Sequence, residues 1–266
     1  MPAIKIENLW KQYRLGTVGH GTFAKDLQSW WAKVRGKEDP NSRIIPGHAA
    51  PQTKDRSGDD RFWALQDINL EIEQGEILGI IGRNGAGKST LLKILSRVTA
   101  PTKGNILVRG RIASLLEVGT GFHPELNGEE NIHLNAALLG LKRAYVRRKL
   151  PEITAFAGIG EFLDLPVKRY SSGMFVRLAF AVAAHVDCDV LLVDEVLAVG
   201  DEGFREKCLR RMEELAASGR TVVVVSHDME VIGRFCTRAL LLDRGRLVHD
   251  GPVAEGIARY HALNAG

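Results

Sequence analysis

Apolar and polar residues follow two different periods along the chain, and together they predict an α/β protein. Residues 4–9 alternate apolar and polar side chains, as in a strand with one buried face. Residues 190–193 are continuously apolar, which is typical of a parallel strand covered on both faces. The predicted strands cover residues 4–9, 62–72, 77–81, 105–109, 112–116, 190–195 and 221–225, with a hairpin at 239–249.

A helical pattern occupies the middle of the chain. Apolar residues recur at helical spacing in 132–141 and 145–156, and we interpret 131–164 as helical throughout. We therefore predict an inserted helical subdomain over 118–172, followed by a long apolar helix over 175–186. The cations between Lys142 and Lys149 are interpreted as a solvated helix face.

An insertion over residues 16–61 interrupts the strand pattern with Gly, Pro and charged residues. Within it, residues 22–37 predict an amphipathic helix whose apolar stripe contains Phe23, Leu27, Trp30, Trp31 and Val34. A helix this short needs a surface on which to bury its stripe. Two alternatives stay open: the stripe packs on its own domain, or it meets a membrane boundary or a membrane partner.

A glycine-rich loop joins the predicted strand at 77–81 to an apolar helix, which is the context that a phosphate-binding loop requires. Glycines let the backbone approach an anion closely, and the helix start adds N–H groups. A lysine supplies positive charge and a serine hydroxyl can ligate Mg²⁺. The alternative is a glycine-rich turn that contains lysine and serine by chance. Such a turn would not require a strand before it and an apolar helix after it. The loop residues are Gly82, Arg83, Asn84, Gly85, Ala86, Gly87, Lys88, Ser89 and Thr90.

Further candidate groups lie at the ends of other predicted elements. Asp194 and Glu195 end a buried strand, where α/β sheets place their ligands, so we assign Mg²⁺ to Asp194 and the role of base to Glu195. His227 follows the strand at 221–225, which favours a functional over a purely structural histidine. Residues 170–174 precede a helix and predict either a second anion site or an ordinary serine cap.

Composition narrows the class of protein. The 266 residues carry a formal net charge of +4, which does not by itself indicate nucleic acid. The three cysteines are widely spaced, and with no signal-peptide pattern they predict reduced thiols in a cytosolic protein. No apolar run reaches the ~18 residues that cross a bilayer, so we expect any membrane role to be peripheral.

The order of these motifs resembles that of the nucleotide-binding subunits of ATP-binding cassette (ABC) transporters, over nearly the whole chain. It comprises the loop at 82–89, a signature-like stretch at 170–174, the carboxylates at 194–195, and then Asp201 and His227. The resemblance implies one ABC ATPase domain over 1–266. Its fold would be a P-loop NTPase (RecA-like) core with a mostly parallel sheet, an antiparallel β subdomain and the helical subdomain.

The resemblance also implies roles by position. Two subunits would pair head to tail and sandwich two ATP molecules, with Mg²⁺. The signature residues would reach the γ-phosphate bound opposite, and Asp201 would cross the interface. His227 would hold the γ-phosphate, and Lys88 and Glu195 would join it in catalysis. Tyr13 is placed as the adenine-stacking residue, although Phe62 or Trp63 could substitute. The signature residues are Ser171, Ser172 and Gly173.

Three positions depart from the family pattern. Ser172 replaces a glycine of the common signature, and Val196 replaces the proline after the catalytic glutamate. Glu117 aligns with the usual glutamine of the connector and is assigned a contact with Mg²⁺. None of these changes removes a group that the chemistry needs.

More narrowly, residues 117–124, 170–174 and 194–201 are similar to bacterial exporters of lipid-linked polysaccharide, such as O-antigen or teichoic acid. This implies an ATPase homodimer bound to two copies of a transmembrane permease, peripheral on the cytoplasmic face of the inner membrane. The complex would handle the polymer and no nucleic acid. The rivals are a soluble ABC ATPase acting on nucleic acid or ribosomes, and a phosphate-loop kinase. The kinase would leave residues 170–174 and His227 without a purpose.

Overall fold

The computed structural model describes residues 1–15, 43–44, 61–115, 121–194 and 202–265. The chain divides into two compact units. The first unit contains residues 1–3, 72–79 and 109–237, and the second contains residues 4–71, 80–108 and 238–266. The helix predicted over 22–37 lies outside the described residues. A single domain over 1–266 with an insertion at 16–61 stays a prediction.

The strands, numbered along the described chain, are β1 (Pro2–Leu15), β2 (Arg43–Ile44), β3 (Arg61–Glu73), β4 (Ile77–Gly82), β5 (Lys103–Val108), β6 (Ile112–Ser114), β7 (Val190–Asp194), β8 (Thr221–Val225), β9 (Arg238–Asp243) and β10 (Arg246–Pro252). The α-helices are α1 (Lys88–Leu95), α2 (Gly128–Leu138), α3 (Arg143–Ala157), α4 (Ser172–Ala184), α5 (Glu202–Ala217), α6 (Met229–Phe235) and α7 (Val253–Ala265). Short 3₁₀ turns cover Gly160–Phe162 and Val167–Arg169. No helix in the described ranges combines the length and apolar character needed to cross a bilayer.

The second unit holds a sheet in the order β2-β1-β3, with β5 paired antiparallel to β1. β1 continues to Leu15, so the predicted end of this strand at residue 9 is wrong, and Trp10 and Tyr13 lie within it. A register shift between Glu7 and Trp10 breaks the alternation, and the next buried residue of the strand after Leu9 is Lys11. The hydrophobic pattern stops there because the buried position carries a cation.

The first unit contains parallel strands β6, β7 and β8, followed in order by residues 77–79 of β4. β8 is buried along its whole length, as expected for a parallel strand with four consecutive valines. In the register of β7 and β8, Val190 lies opposite Thr221 and Asp194 lies opposite Val225. The carboxyl ends of these two strands therefore meet at one edge.

Helices α2, α3 and α4 of the first unit pack around a shared apolar core that includes Ile132, Val146, Ile153, Leu178 and Val182. The interpretation of 131–164 as helical throughout is wrong, because α2 ends at Leu138 and α3 covers only Arg143–Ala157. Gly140, with φ of +78°, makes this break. A second left-handed glycine caps the end of α3, at Gly158.

A buried asparagine organises the approach to α2. Asn131 is fully buried, and its Oδ1 accepts a hydrogen bond from the His123 backbone N–H at 2.7 Å. Its Nδ2 lies within hydrogen-bonding distance of the carbonyls of His123, Leu126 and Asn127, at 2.9–3.1 Å. Asn127 in turn caps α2 in a reciprocal pair with Glu130. One side chain thus closes the turn that leads into the helical core.

Replacing Asn131 with Ala should lower the free energy of unfolding by about 2–4 kcal/mol, because buried backbone groups of the turn lose their partners. Asn131→Asp should cost at least as much, since a carboxylate would face three carbonyl oxygens. Urea denaturation measures both. The control is Asn264→Ala, whose exposed amide donates to the Tyr260 carbonyl of its own helix and should shift stability by less than ~0.5 kcal/mol. Equal effects at the two positions would contradict the role of Asn131.

Candidate functional site

The loop between β4 and α1 lies in the second unit and has the form expected of a phosphate cradle. Its turn is closed by the Ala86 N–H donating to the Arg83 carbonyl at 3.0 Å. The Leu91 N–H then donates to the Gly87 carbonyl at 2.9 Å, which begins the hydrogen bonding of α1. Arg83, Asn84 and Gly85 are exposed, so the outer side of the loop is open to a ligand.

Two loop glycines are required by close backbone contacts. A Cβ on Gly82 would lie 2.3 Å from the Leu242 carbonyl oxygen, and one on Gly87 would lie 2.8 Å from that of Ala64. Gly85 differs, because its φ is +81° but an added Cβ would meet no atom within 4 Å. The inner side of the loop is therefore packed, and the space beside Gly85 is open.

Hydrogen bonds from a distant turn also support the loop, and the sequence did not predict them. The Gly245 N–H, in the turn between β9 and β10, donates to the Ala86 carbonyl at 2.9 Å. The Gly245 carbonyl accepts from the Gln66 N–H of β3 at 2.7 Å. The sequence signals only a hairpin turn at this glycine, and its contact with the loop is a long-range one.

Positive charge concentrates at the start of α1. Lys88 is 7% exposed, and its Nζ donates to the Gly82 carbonyl at 2.7 Å and to the Arg83 carbonyl at 3.2 Å. The helix N-cap is Gly87, which provides no side-chain cap, and the first turn carries no acidic residue. Without a side-chain cap or an acidic first turn, the positive end of the helix dipole favours an anion here. This geometry fits a phosphate group. The exposed Ser89 hydroxyl follows Lys88 directly in the sequence.

Asp194 and His227 belong to the first unit, where they lie at the carboxyl ends of adjacent parallel strands. Asp194 is half-buried at the end of β7, opposite Val225 of β8. His227 follows two residues after Val225 and is exposed. A carboxylate and an imidazole thus come to the same edge, as the strand pattern predicted. Glu195, Asp201 and Glu117 lie outside the described residues.

The signature-like residues begin α4. Ser171 is the N-cap, and its Oγ accepts from the Met174 N–H at 3.2 Å. Ser171 and Ser172 are exposed and Gly173 is partly exposed. Of the two predicted alternatives, the serine cap is the one formed by the Ser171 hydroxyl. The assignment of an anion site to Ser171, Ser172 and Gly173 stays a prediction.

The aromatic candidates lie on β1 and β3 of the second unit. The rings of Tyr13 and Phe62 are 5.8 Å apart and tilted by 32°. The Lys11 Nζ lies 4.8 Å from the Tyr13 ring centroid and donates to the Ala100 carbonyl at 2.8 Å. The Trp63 ring packs edge-on against Trp10 at 5.2 Å. Tyr13 and Phe62 therefore form one pair, and Trp63 belongs to another.

Comparison with known proteins decides the family. The ABC transporter family matches residues 65–198, which include the loop and Asp194. The chain belongs to the ABC transporter family. It is 44% identical, over 98% of its length, to the O-antigen export system ATP-binding protein RfbB of Myxococcus xanthus. It is 46% identical to an RfbB of Klebsiella pneumoniae over 75% of its length, and 42% identical to the teichoic acids export ATP-binding protein TagH of Bacillus cereus over 76%.

The chain covers different fractions of the length of these relatives. The matches span 56% of the Myxococcus protein, 81% of the Klebsiella protein and 36% of the Bacillus protein. A solved ATP-binding subunit of an ABC transporter superposes with a TM-score of 0.70 at 21% identity, covering 99% of this chain and 95% of that one. The predicted family and fold class are confirmed. The roles of individual residues stay predictions.

The open space beside Gly85 gives a test with a matched control. Gly85→Ala and Gly140→Ala place a Cβ at nearly the same φ, +81° and +78°, with no atom within 4 Å. Each should cost about 1–2 kcal/mol of stability from the left-handed backbone. Only Gly85→Ala should also weaken ATP binding, by about tenfold or more, which corresponds to ~1.4 kcal/mol. Calorimetric titration measures this, and equal ATP affinities in the two variants would remove Gly85 from the site.

Proposed function

We propose that the chain is the ATP-hydrolysing subunit of an exporter that moves lipid-linked polysaccharide across the bacterial inner membrane. The polymer would be O-antigen, teichoic acid or a related one. The observation that carries the proposal is 44% identity, over 98% of the chain, to a protein named as the ATP-binding component of O-antigen export. The teichoic acid relative supports the same substrate class.

The phosphate chain of ATP would bind over the loop at 82–90. Backbone N–H groups at the start of α1 would donate to the phosphate oxygens, because their helix has no side-chain cap. The Lys88 ammonium would exchange its contacts with the Gly82 and Arg83 carbonyls for the terminal phosphates. Gly85, with open space beside it, allows the close approach. Tyr13 would stack on the adenine, and Thr90 would assist in phosphate binding.

We assign Mg²⁺, which prefers hard oxygen ligands and retains water and phosphate in its shell, to three oxygen-bearing side chains. The exposed Ser89 hydroxyl belongs to the second unit and the half-buried Asp194 carboxylate to the first, and Glu117 of the connector is assigned the third contact. Bound Mg²⁺ would neutralise charge on the β- and γ-phosphates.

Hydrolysis would depend on positioning and charge stabilisation. Glu195 would take the proton of the attacking water, and His227 would hold the γ-phosphate. The signature of a second subunit would cover the same phosphate through Ser171, Ser172 and Gly173. Asp201 would cross that interface. Closure of the homodimer on ATP, and its opening after hydrolysis, would supply the work of transport.

Two copies of a transmembrane permease would complete the exporter, with this chain peripheral on the cytoplasmic face of the inner membrane. The helical subdomain predicted at 118–172 is the natural docking surface, because it links the connector to the signature. The amphipathic helix predicted at 22–37 is the candidate for a second contact with the permease or the membrane.

Glu195→Gln should retain ATP binding but lower the turnover of ATP by about 10²–10⁴-fold, because the general base is lost. Calorimetry and a phosphate-release assay measure the two quantities separately. The control is Glu161→Gln, which changes an exposed glutamate in the helical core's 3₁₀ turn and should leave turnover unaltered.

The same variant tests the transport step in cells that lack the native gene. The wild-type chain should restore the polysaccharide to the cell surface, and Glu195→Gln should not, although it is expressed at the same level. Wild-type turnover in Glu195→Gln would refute the assignment of the base. A normal amount of polysaccharide on the surface of cells that contain no active copy of this chain would refute its role in polysaccharide export.

A further inference from the structure

The turn that carries His227 is held on both sides by hydrogen bonds within the first unit. The Asp228 N–H donates to the Ser226 Oγ at 3.0 Å. The Asp228 Oδ1 then accepts from the N–H groups of Glu230 and Val231, at 3.0 and 3.2 Å, and so caps α6. The backbone on both sides of the exposed His227 is therefore restrained by its two neighbours in the chain.

The second oxygen of the same carboxylate has a different partner. Asp228 Oδ2 accepts from the Arg205 Nη2 of α5, and the two side chains are only partly exposed. Burial alone would raise the pKa of Asp228, but the Val231 N–H and the Arg205 guanidinium lower it below its usual value. The carboxylate thus stays ionised and joins the cap of α6 to α5.

A second ion pair joins the same two helices at a distance from the turn. Arg234, in the last turn of α6, donates from Nη1 and Nη2 to the Glu206 carboxylate at 3.0 and 3.3 Å. Arg234 lies six residues after Asp228, which is about 9 Å along a helix. This pair contributes to the same helix contact, and its hydrogen bonds join Arg234 to Glu206 rather than to the carboxylate of Asp228.

We propose that Arg205 is a positioning residue for His227. Its guanidinium holds the Asp228 carboxylate, and this keeps the turn, and with it the His227 imidazole, in the orientation that ATP hydrolysis would require. The inference rests on the proposed ATPase function and adds a residue to it.

The test compares Arg205→Met with Arg234→Met, each of which removes one ion pair between α5 and α6. Arg205→Met should lower kcat for ATP hydrolysis by about 10- to 100-fold, since small displacements of a positioned group have effects of this size. Its KM for ATP should not change, because the phosphate loop is intact. Arg234→Met should leave kcat at the wild-type level, and Arg205→Lys should recover part of the loss by keeping the charge.

Asp228→Asn provides an independent variant. Its amide oxygen can still cap α6, but it no longer carries the charge that Arg205 binds, so kcat should fall as in Arg205→Met. If Arg205→Met does not fold, the kcat of Asp228→Asn tests the proposal in its place. Equal losses of kcat in Arg205→Met and Arg234→Met would show that helix docking alone matters, and unchanged kcat in Arg205→Met and Asp228→Asn would also overturn the proposal. A wild-type chain without ATPase activity would instead refute the proposed function itself.

Discussion

The candidate nucleotide site depends on a packing constraint at the inner side of the phosphate loop. Gly82 and Gly87 lie so close to the carbonyls of Leu242 and Ala64 that no side chain fits at either position. The Gly245 N–H fixes the Ala86 carbonyl from behind, and Gln66 fixes Gly245. Because the loop is packed on this side, its N–H groups and Lys88 can be presented to an anion on the other. The packing of its inner side thus gives the cradle its shape.

The first unit uses a related principle at its strand ends. Parallel pairing of β7 and β8 brings Asp194 and the His227 turn to one edge, and the Asp228 carboxylate then divides its oxygens between a helix cap and Arg205. The fully buried Asn131 likewise closes the turn into α2. In each case a short polar side chain satisfies backbone groups that burial would otherwise leave without partners. Polar side chains at the ends of elements thereby fix the backbone of both turns.

Local sequence patterns were sufficient to predict part of the fold and part of the candidate site. The glycine spacing of 82–87 and the apolar run of β8 depend only on neighbouring residues, so the loop and the strand were predictable. The extension of β1 was not, because a buried Lys11 interrupts its apolar alternation. The break at Gly140 was hidden by apolar residues that continue on both sides of it. The contact of Gly245 with the loop arises from tertiary packing, which no local pattern reports. The roles assigned to Glu195 and Asp201 rest on the sequence alone.

Purification of the tagged chain from its native membranes in mild detergent would test the exporter most directly. The partners would be identified by mass spectrometry and their stoichiometry counted. An ATP-driven exporter predicts one polytopic membrane protein in equal amount to this chain. Recovery of soluble proteins only, or of ribosomes or nucleic acid, would contradict the exporter and favour an ABC ATPase that acts on those partners.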